Sequence, residues 1–205
     1  MFAKAYHAQI REKGDEHMKS EREISQALET YDHLLWEAII RVGGVAFSKS
    51  FERRGNLIRV VYATYNEDSP SKAPFDPRPV FSQIEDGVFS FTTSSLPVIK
   101  LGYKSRGFTV ASNLCSHPCY KDFLFNAVLT ERKRIDLVCF GSMTLPIACD
   151  FVEIGNRSEK DYICCPCVGE HLSYTSDLLS FKVVLQKPKK VGKHNFEFRF
   201  EIISK

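Results

Sequence analysis

The 205-residue sequence has no apolar run of the length that crosses a membrane as a helix. Arg41 interrupts the apolar segment Ala38–Ile40, and Gln186 interrupts Val183–Leu185. Charged and polar side chains near the first residue also precede any stretch that would serve as a signal-peptide core. We therefore expect no integral membrane segment and no export, and we predict a cytoplasmic location with the nucleus left open.

Motifs of the common enzyme classes are also missing. The chain has no Gly-x-Ser-x-Gly elbow, no His-Glu-x-x-His motif and no glycine-rich phosphate or dinucleotide loop. Its formal net charge of +3 comes from 28 Lys and Arg against 25 Asp and Glu, so the total charge does not indicate a nucleic-acid-binding protein. These absences favour a non-enzymatic binding or structural role.

No cysteine precedes Cys115, and all seven cysteines lie at or after that position. An odd number without an export signal indicates reduced thiols rather than a disulfide framework. The cysteines form two clusters with histidine, at Cys115–Cys119 and Cys164–His171. A structural zinc ion takes four Cys or His ligands. The candidate zinc ligands are Cys115, Cys119, Cys167 and His171.

Two other interpretations of these clusters stay open. In the first, the cysteines are small packing residues with no cofactor at all, because reduced cysteine is often buried in protein cores. Alternatively Cys119 or Cys167 pairs with His171 for cysteine-dependent catalysis, although nothing in the surrounding sequence marks a nucleophile. Metal analysis of the purified protein distinguishes these interpretations.

One long amphipathic helix is predicted over Glu21–Val42. Ser20 and Glu23 have the spacing of a capping box, and Gly43–Gly44 supplies a helix end. Apolar residues recur every three or four positions between these limits, which gives one apolar stripe. The preceding segment Phe2–Ile10 fits either a short helix or an edge strand.

Short β-branched and aromatic segments separated by Gly, Pro and Asn predict strands through the rest of the chain. The predicted strands are Leu57–Tyr65, Val88–Thr92, Pro97–Leu101, Phe108–Ala111, Ile135–Phe140, Ile147–Ile154, Tyr162–Cys165, Leu178–Gln186 and Asn195–Ile203. A second helix is predicted over Tyr120–Arg132. The pattern indicates an α+β fold, a predominantly antiparallel β sandwich or barrel with one long N-terminal amphipathic helix.

Residues 1–205 are predicted to form a single domain. Four prolines fall between Asp68 and Val80, and they predict a proline-rich extended loop over residues 66–86. The residues before this loop are too few to form a stable hydrophobic core of their own.

The last hairpin carries a concentration of positive charge. From Lys182 to Lys205 there are seven Lys and Arg against two Glu, a local charge of +5. Such a surface attracts phosphates or anionic lipids, although lysines also serve to keep a turn soluble. The candidate residues for an anionic partner are Lys187, Lys189, Lys190, Lys193, Arg132, Lys133 and Arg134.

Residues 5–65 resemble the matrix proteins of rhabdoviruses. The likeness comprises the segment Ala5–Ile10, a polar loop, the helix Ile24–Leu35 with its Tyr31-Asp32-His33-Leu34 step, and the apolar strand Leu57–Tyr65. The segment Gly43–Asn56 and the Cys clusters depart from the family pattern. The resemblance implies a protein of the virion that self-associates, condenses a nucleoprotein and touches membrane, with no catalytic residues.

The sequence therefore predicts a non-enzymatic structural or assembly protein. We expect it to form homo-oligomers and to bind an acidic partner such as a nucleoprotein, RNA or an anionic membrane surface. The alternative is a zinc-stabilised nucleic-acid-binding or regulatory protein that uses the Cys/His clusters.

Overall fold

A computed structural model gives the structure of the protein. It describes residues 2–66, 75–101, 106–107, 116, 118, 146–147, 151–158, 161–167 and 169–204. For residues 2–20, 45–51, 63–66, 101, 106–107, 146–147, 166 and 204 it describes the backbone alone. The elements in chain order are α1 Phe2–Arg41, β1 Gly44–Arg54, β2 Leu57–Asn66, α2 Phe81–Thr93, β3 Val98–Leu101, β4 Arg106–Gly107, β5 Pro146–Ile147, β6 Phe151–Ile154, β7 Ile163–Pro166, a 3-10 helix Thr175–Ser180, β8 Phe181–Lys190 and β9 Asn195–Ser204.

Helix α1 buries the apolar stripe that its sequence predicts. The buried residues of this stripe include Ile24, Ala27, Leu28, Tyr31, Leu34, Leu35, Ala38 and Ile39. Their spacing of three and four positions places them on one side of the helix. The stripe packs on the sheet that contains strand β9, which we call the large sheet. There the ring centre of Tyr31 lies 4.8 Å from the ring centre of Phe200.

The helix start predicted at Ser20 is not observed. Helix α1 begins at Phe2 and continues through Ser20 and Glu23, so Phe2–Ile10 is helical rather than an edge strand. A capping sequence favours a helix start but is also tolerated inside a helix, because serine and glutamate cost little there. The helix ends close to the predicted position, and Gly43 adopts a left-handed φ of 86°.

A four-stranded antiparallel sheet in the order β1-β2-β9-β8 lies against α1. The even-numbered residues Phe196, Phe198 and Phe200 of β9 are fully buried on the face toward the helix. Strands β2 and β9 confirm the predicted strands at Leu57–Tyr65 and Asn195–Ile203 closely. Strand β1 was not predicted, because its mixed polar sequence has no clear alternation of apolar residues.

Helix α2 corrects two predictions. The segment Val88–Thr92 is helical and not a strand, and Phe81–Asp86 at the end of the predicted 66–86 loop belongs to the same helix. The buried residues Ile84, Val88 and Phe91 are spaced by four and three positions, which is a helical period. The strand prediction for Val88–Thr92 was wrong because β-branched and aromatic residues favour strands on average, whereas here their packing favours a helix. Residues 67–74 of the predicted loop lie outside the described residues.

A three-stranded antiparallel sheet in the order β3-β6-β7 positions the cysteine-rich segment. Its strands correspond to the predictions at Pro97–Leu101, Ile147–Ile154 and Tyr162–Cys165 with shifted ends. The strand predicted at Leu178–Gln186 starts only at Phe181, because Leu178 belongs to the 3-10 helix. The predicted strands Phe108–Ala111 and Ile135–Phe140 and the predicted helix Tyr120–Arg132 lie outside the described residues.

The molecule is therefore an α+β protein with antiparallel sheets. The strands that the structure describes form no closed barrel. A sandwich arrangement of the sheets and the single-domain organisation stay predictions.

Candidate metal centre

The segment from Cys167 to His171 follows β7 and bends at Gly169; we call it the Cys167–His171 turn, of which Cys167 and residues 169–171 are described. The Sγ atom of Cys167 lies 3.4 Å from Nε2 of His171, and the backbone N–H of Gly169 donates to the same sulfur at 3.3 Å. Two of the predicted zinc ligands therefore lie in contact. The other two, Cys115 and Cys119, lie outside the described residues and stay predictions.

A third candidate ligand, His33, comes from helix α1. The ligand atoms of His33, Cys167 and His171 all lie within 4.8 Å of one another. The two imidazole rings are 5.1 Å apart between centroids. The chain thus brings a helical histidine to a Cys-x-x-x-His turn that lies far away in sequence.

Each of the two histidines has one ring nitrogen without a hydrogen-bond partner among the described residues. Nδ1 of His33 lies 3.2 Å from Sγ of Cys165, whereas Nε2 of His33 is buried and has no hydrogen-bond partner among the described residues. Nδ1 of His171 is likewise buried without a described partner, but the nitrogen of this ring that faces Cys167 is Nε2. A buried imidazole nitrogen without a partner is costly unless a donor or a metal ion occupies it.

Burial keeps both imidazoles neutral. It lowers the pKa of His33 to about 3, with a further contribution from His171. It also lowers the pKa of His171 to about 4, and the positive charge of Lys100 acts in the same direction. Neutral imidazole is the form that binds a metal ion, because a protonated ring has no free nitrogen lone pair.

Polar contacts hold the Cys167–His171 turn on helix α1. Arg22 Nε donates to Glu170 Oε2 at 2.9 Å, and Gln26 Nε2 donates to the same oxygen at 3.4 Å. The N–H of Leu172 donates to Oγ1 of Thr30 at 3.1 Å. These contacts occupy successive turns of α1 on the side that carries His33, so they fix the position of the turn relative to the histidine.

Strand β7 carries two more cysteines, and both are fully buried. Burial raises the pKa of Cys164 to about 11, although a hydrogen bond with Tyr162 lowers it in part. Ser116 lies beside this strand, because its N–H donates to the carbonyl of Cys164 at 2.9 Å and its Oγ accepts the N–H of Cys164 at 2.9 Å. A residue of the first predicted cluster is thus hydrogen-bonded to the second.

The geometry suits a metal ion better than cysteine catalysis. Zinc–sulfur and zinc–nitrogen bonds at a tetrahedral angle put the two ligand atoms about 3.5 Å apart. The Cys167–His171 distance of 3.4 Å agrees with that value, as it does with an S–H···N hydrogen bond, so the convergence of His33 on the same pair is what favours an ion. A catalytic pair instead needs a thiolate beside an imidazolium, and the lowered pKa of His171 opposes that state.

Comparison with known proteins gives no identification. No protein family and no curated protein matches this chain.

The predicted anion-binding residues lie on the β8–β9 hairpin or outside the described residues. Lys187, Lys189, Lys190 and Lys193 are all exposed. Pro188 between them is buried at an irregularity in the strand pairing. Arg132, Lys133 and Arg134 lie outside the described residues. No helix within the described part of the chain is long and apolar enough to cross a membrane.

Sequence reasoning missed His33 because its position within the helix carries no motif. The residue lies beside the apolar stripe of α1, where the helical pattern alone makes it an ordinary buried side chain. The sequence feature that could have identified His33 is its position four residues, one helical turn, after Glu29 and next to the apolar stripe. This spacing indicates a ligand only when the segment that packs against the helix is known.

Proposed function

We propose that the protein binds a zinc ion that stabilises its fold, and that His33, Cys167 and His171 hold this ion. The observation that carries this proposal is the convergence of the three ligand atoms within 4.8 Å. One of them belongs to a buried histidine whose Nε2 has no described hydrogen-bond partner. Thiolate and imidazole together favour zinc over the harder metals magnesium and calcium.

The ion would act as a cross-link in the fold. Helix α1 supplies His33, and the segment after β7 supplies Cys167 and His171, so the ligands join the helix to the three-stranded sheet. Metal binding to a set assembled only by folding adds its free energy to that of folding. A structural role fits a half-buried site, and a non-enzymatic function stays a prediction.

Metal analysis and chelation test the proposal. We expect the purified full chain to contain one zinc ion, and we expect a chelator to lower the midpoint of thermal unfolding. His33→Ala, Cys167→Ser and His171→Ala should each reduce zinc content, whereas the control His194→Ala should retain it. A folded wild-type protein that neither contains zinc nor gains stability on its addition would contradict the proposal. Cys115→Ser and Cys119→Ser test the two ligands predicted from sequence alone.

A second candidate function is binding to an acidic partner through the β8–β9 hairpin. The observation in its favour is the four exposed lysines, Lys187, Lys189, Lys190 and Lys193, at one end of this hairpin. Their attraction for phosphate or anionic lipid is electrostatic, so salt-dependent binding to an anionic probe tests it. Self-association and a role like that of viral matrix proteins, with nucleoprotein, RNA or membrane as partner, stay predictions.

A further inference from the structure

Helix α1 carries a carboxylate one turn before the histidine of the metal centre. Glu29 and His33 are four residues apart, a spacing that places two side chains on the same face of a helix with Cβ atoms about 5–6 Å apart. Glu29 is half-buried, and His33 is 5 % exposed. The helix thus presents a Glu-x-x-x-His pair to the segment that follows β7.

The opposing segment presents a Cys-x-x-x-His pair with glycine at its middle. The side chain of Glu29 lies directly against Gly169, where a Cβ atom would stand 2.9 Å from Oε2 of Glu29. Gly169 is midway between Cys167 and His171. The absence of a side chain at this position therefore lets the carboxylate approach the turn that carries the two ligands.

We propose that Glu29 is the fourth ligand of the metal centre, which completes a Glu29, His33, Cys167 and His171 set. This inference rests on the proposed zinc-binding function. A carboxylate oxygen is an accepted zinc ligand, and zinc in a structural site takes four ligands in a tetrahedron. In this structure the carboxylate lies against Gly169 and is not among the ligand atoms that lie within 4.8 Å of one another, and the three side-chain torsions of glutamate allow it to turn toward the ion.

Electrostatics favour a carboxylate in the fourth position. Two neutral imidazoles and one thiolate leave a zinc ion with a single positive charge, and one carboxylate neutralises it. A net charge in a half-buried site is costly, because burial removes the water that would solvate it. Glu29 is an acidic side chain of helix α1 that lies against the Cys167–His171 turn.

The described geometry also argues against Cys165 as the fourth ligand. Its sulfur lies 3.2 Å from Nδ1 of His33, whereas the nitrogen without a hydrogen-bond partner is Nε2. The two nitrogens of an imidazole ring point in different directions, so with the ion on Nε2, the nitrogen of His33 that we assign as the ligand, a sulfur at Nδ1 lies outside the ligand set. Cys165 instead orients the ring, as a partner outside the ligand set commonly does.

Zinc affinity of the full chain tests the inference, with Glu29→Gln as the variant and Glu23→Gln as its control. Glutamine keeps the size of the side chain but is a poor metal ligand, and Glu23 is exposed on the same helix. We expect Glu29→Gln to weaken zinc binding by about tenfold or more, and Glu23→Gln to leave it unchanged. Glu29→Asp keeps the charge on a shorter side chain and should give an intermediate affinity.

Cobalt substitution gives a readout that a merely structural role would not move. We expect Co²⁺ bound to wild type to show the strong visible bands of four-coordinate cobalt and a thiolate charge-transfer band. In Glu29→Gln the visible bands should change while the thiolate band stays, because Cys167 remains bound. An unchanged cobalt spectrum would overturn the assignment of Glu29.

The failure of this inference is distinguishable from the failure of the proposed function. If His33→Ala and Cys167→Ser lose zinc while Glu29→Gln binds as wild type does, the centre stands and Glu29 is not a ligand. Glu29 is likewise not a ligand if Cys115→Ser or Cys119→Ser weakens zinc binding while Glu29→Gln does not. A wild-type chain that binds neither zinc nor cobalt would overturn both proposals.

Discussion

At the scale of single residues, the charged face of the large sheet depends on one buried carboxylate. Glu197 on β9 is only 3 % exposed, because two arginines lie over it. Arg59 on the neighbouring strand and Arg199 on its own strand both donate to its carboxylate. Burial alone would raise the pKa of Glu197, but the hydrogen bonds from the two arginines lower it below its ordinary value of 4.5.

Glu197→Gln should lower the free energy of unfolding at neutral pH. A carboxylate whose folded pKa is depressed stabilises the fold above its unfolded pKa, and this contribution is lost as the pH falls through the folded value. We therefore expect the difference from wild type to shrink as the pH is lowered below the ordinary value of 4.5. Urea denaturation at both ends of this range measures it. Glu201→Gln, on the same strand and face, is the control.

An equal loss of stability at acidic and neutral pH would contradict the assigned role of the Glu197 charge. In that case the effect would come from packing of the side chain rather than from its ionisation. The control separates the two causes, because Glu201 shares the strand and the face but makes none of the contacts described for Glu197.

At the scale of elements, helices α1 and α2 approach each other closely at a glycine. A Cβ atom placed on Gly87 of α2 would lie 3.2 Å from Cβ of Ala38 of α1. Two small residues therefore permit the contact between the helices, and Ile84, Val88 and Phe91 of α2 are buried as well. A glycine within a helix costs roughly 1 kcal/mol relative to alanine, so close packing is the reason for its presence here.

Gly87→Leu should destabilise the protein, because the added side chain meets the backbone-fixed Ala38. Overpacking of this kind typically costs about 1–3 kcal/mol, and the better helix propensity of leucine offsets roughly 1 kcal/mol of that. Thermal or urea denaturation measures the net loss. The control Asp86→Leu adds the same side chain at an exposed neighbouring position and should have little effect. Equal free energies of unfolding for the two variants would contradict this prediction, because they would show that the helices can move apart without loss of stability.

At the scale of the whole molecule, a small net charge conceals an uneven distribution. The net charge is only +3, whereas the segment from Lys182 to the last residue carries +5. The β8–β9 hairpin carries four of these positive charges at one end, on the exposed side chains of Lys187, Lys189, Lys190 and Lys193. Such a local concentration attracts anions even though the total charge does not.

Reversal of the hairpin charges tests the second candidate function. Replacing Lys187, Lys189, Lys190 and Lys193 with glutamate should reduce binding to single-stranded RNA and to phosphatidylserine vesicles by about tenfold or more, without unfolding the domain. Wild-type binding should also weaken as salt is raised. Lys182→Glu, at the opposite end of β8, is the control. Unchanged binding of the fourfold variant would contradict a role for the hairpin, and binding to one probe alone would identify the class of partner.

The elements with a clear local pattern were predictable from the sequence. Strands β2 and β9 follow their alternation of apolar residues, and the apolar stripe of α1 follows its helical spacing. Strand β1 and helix α2 were not predicted. The first has little alternation, and the second has strand-favouring residues that only packing against α1 stabilises as a helix. Local preference fails where tertiary contacts outweigh it.

By itself, the sequence determined the α+β class, the apolar stripe of α1, the basic hairpin and the pairing of Cys167 with His171, because each depends on residues close together in the chain. Only the tertiary structure decided that His33 joins them, and that Glu29 lies against Gly169. Cys165 and His33 are 132 positions apart, and no local pattern relates them. Residues so distant meet because the apolar face of α1 is buried against the rest of the fold. The candidate metal centre lies where α1 contacts the segment after β7.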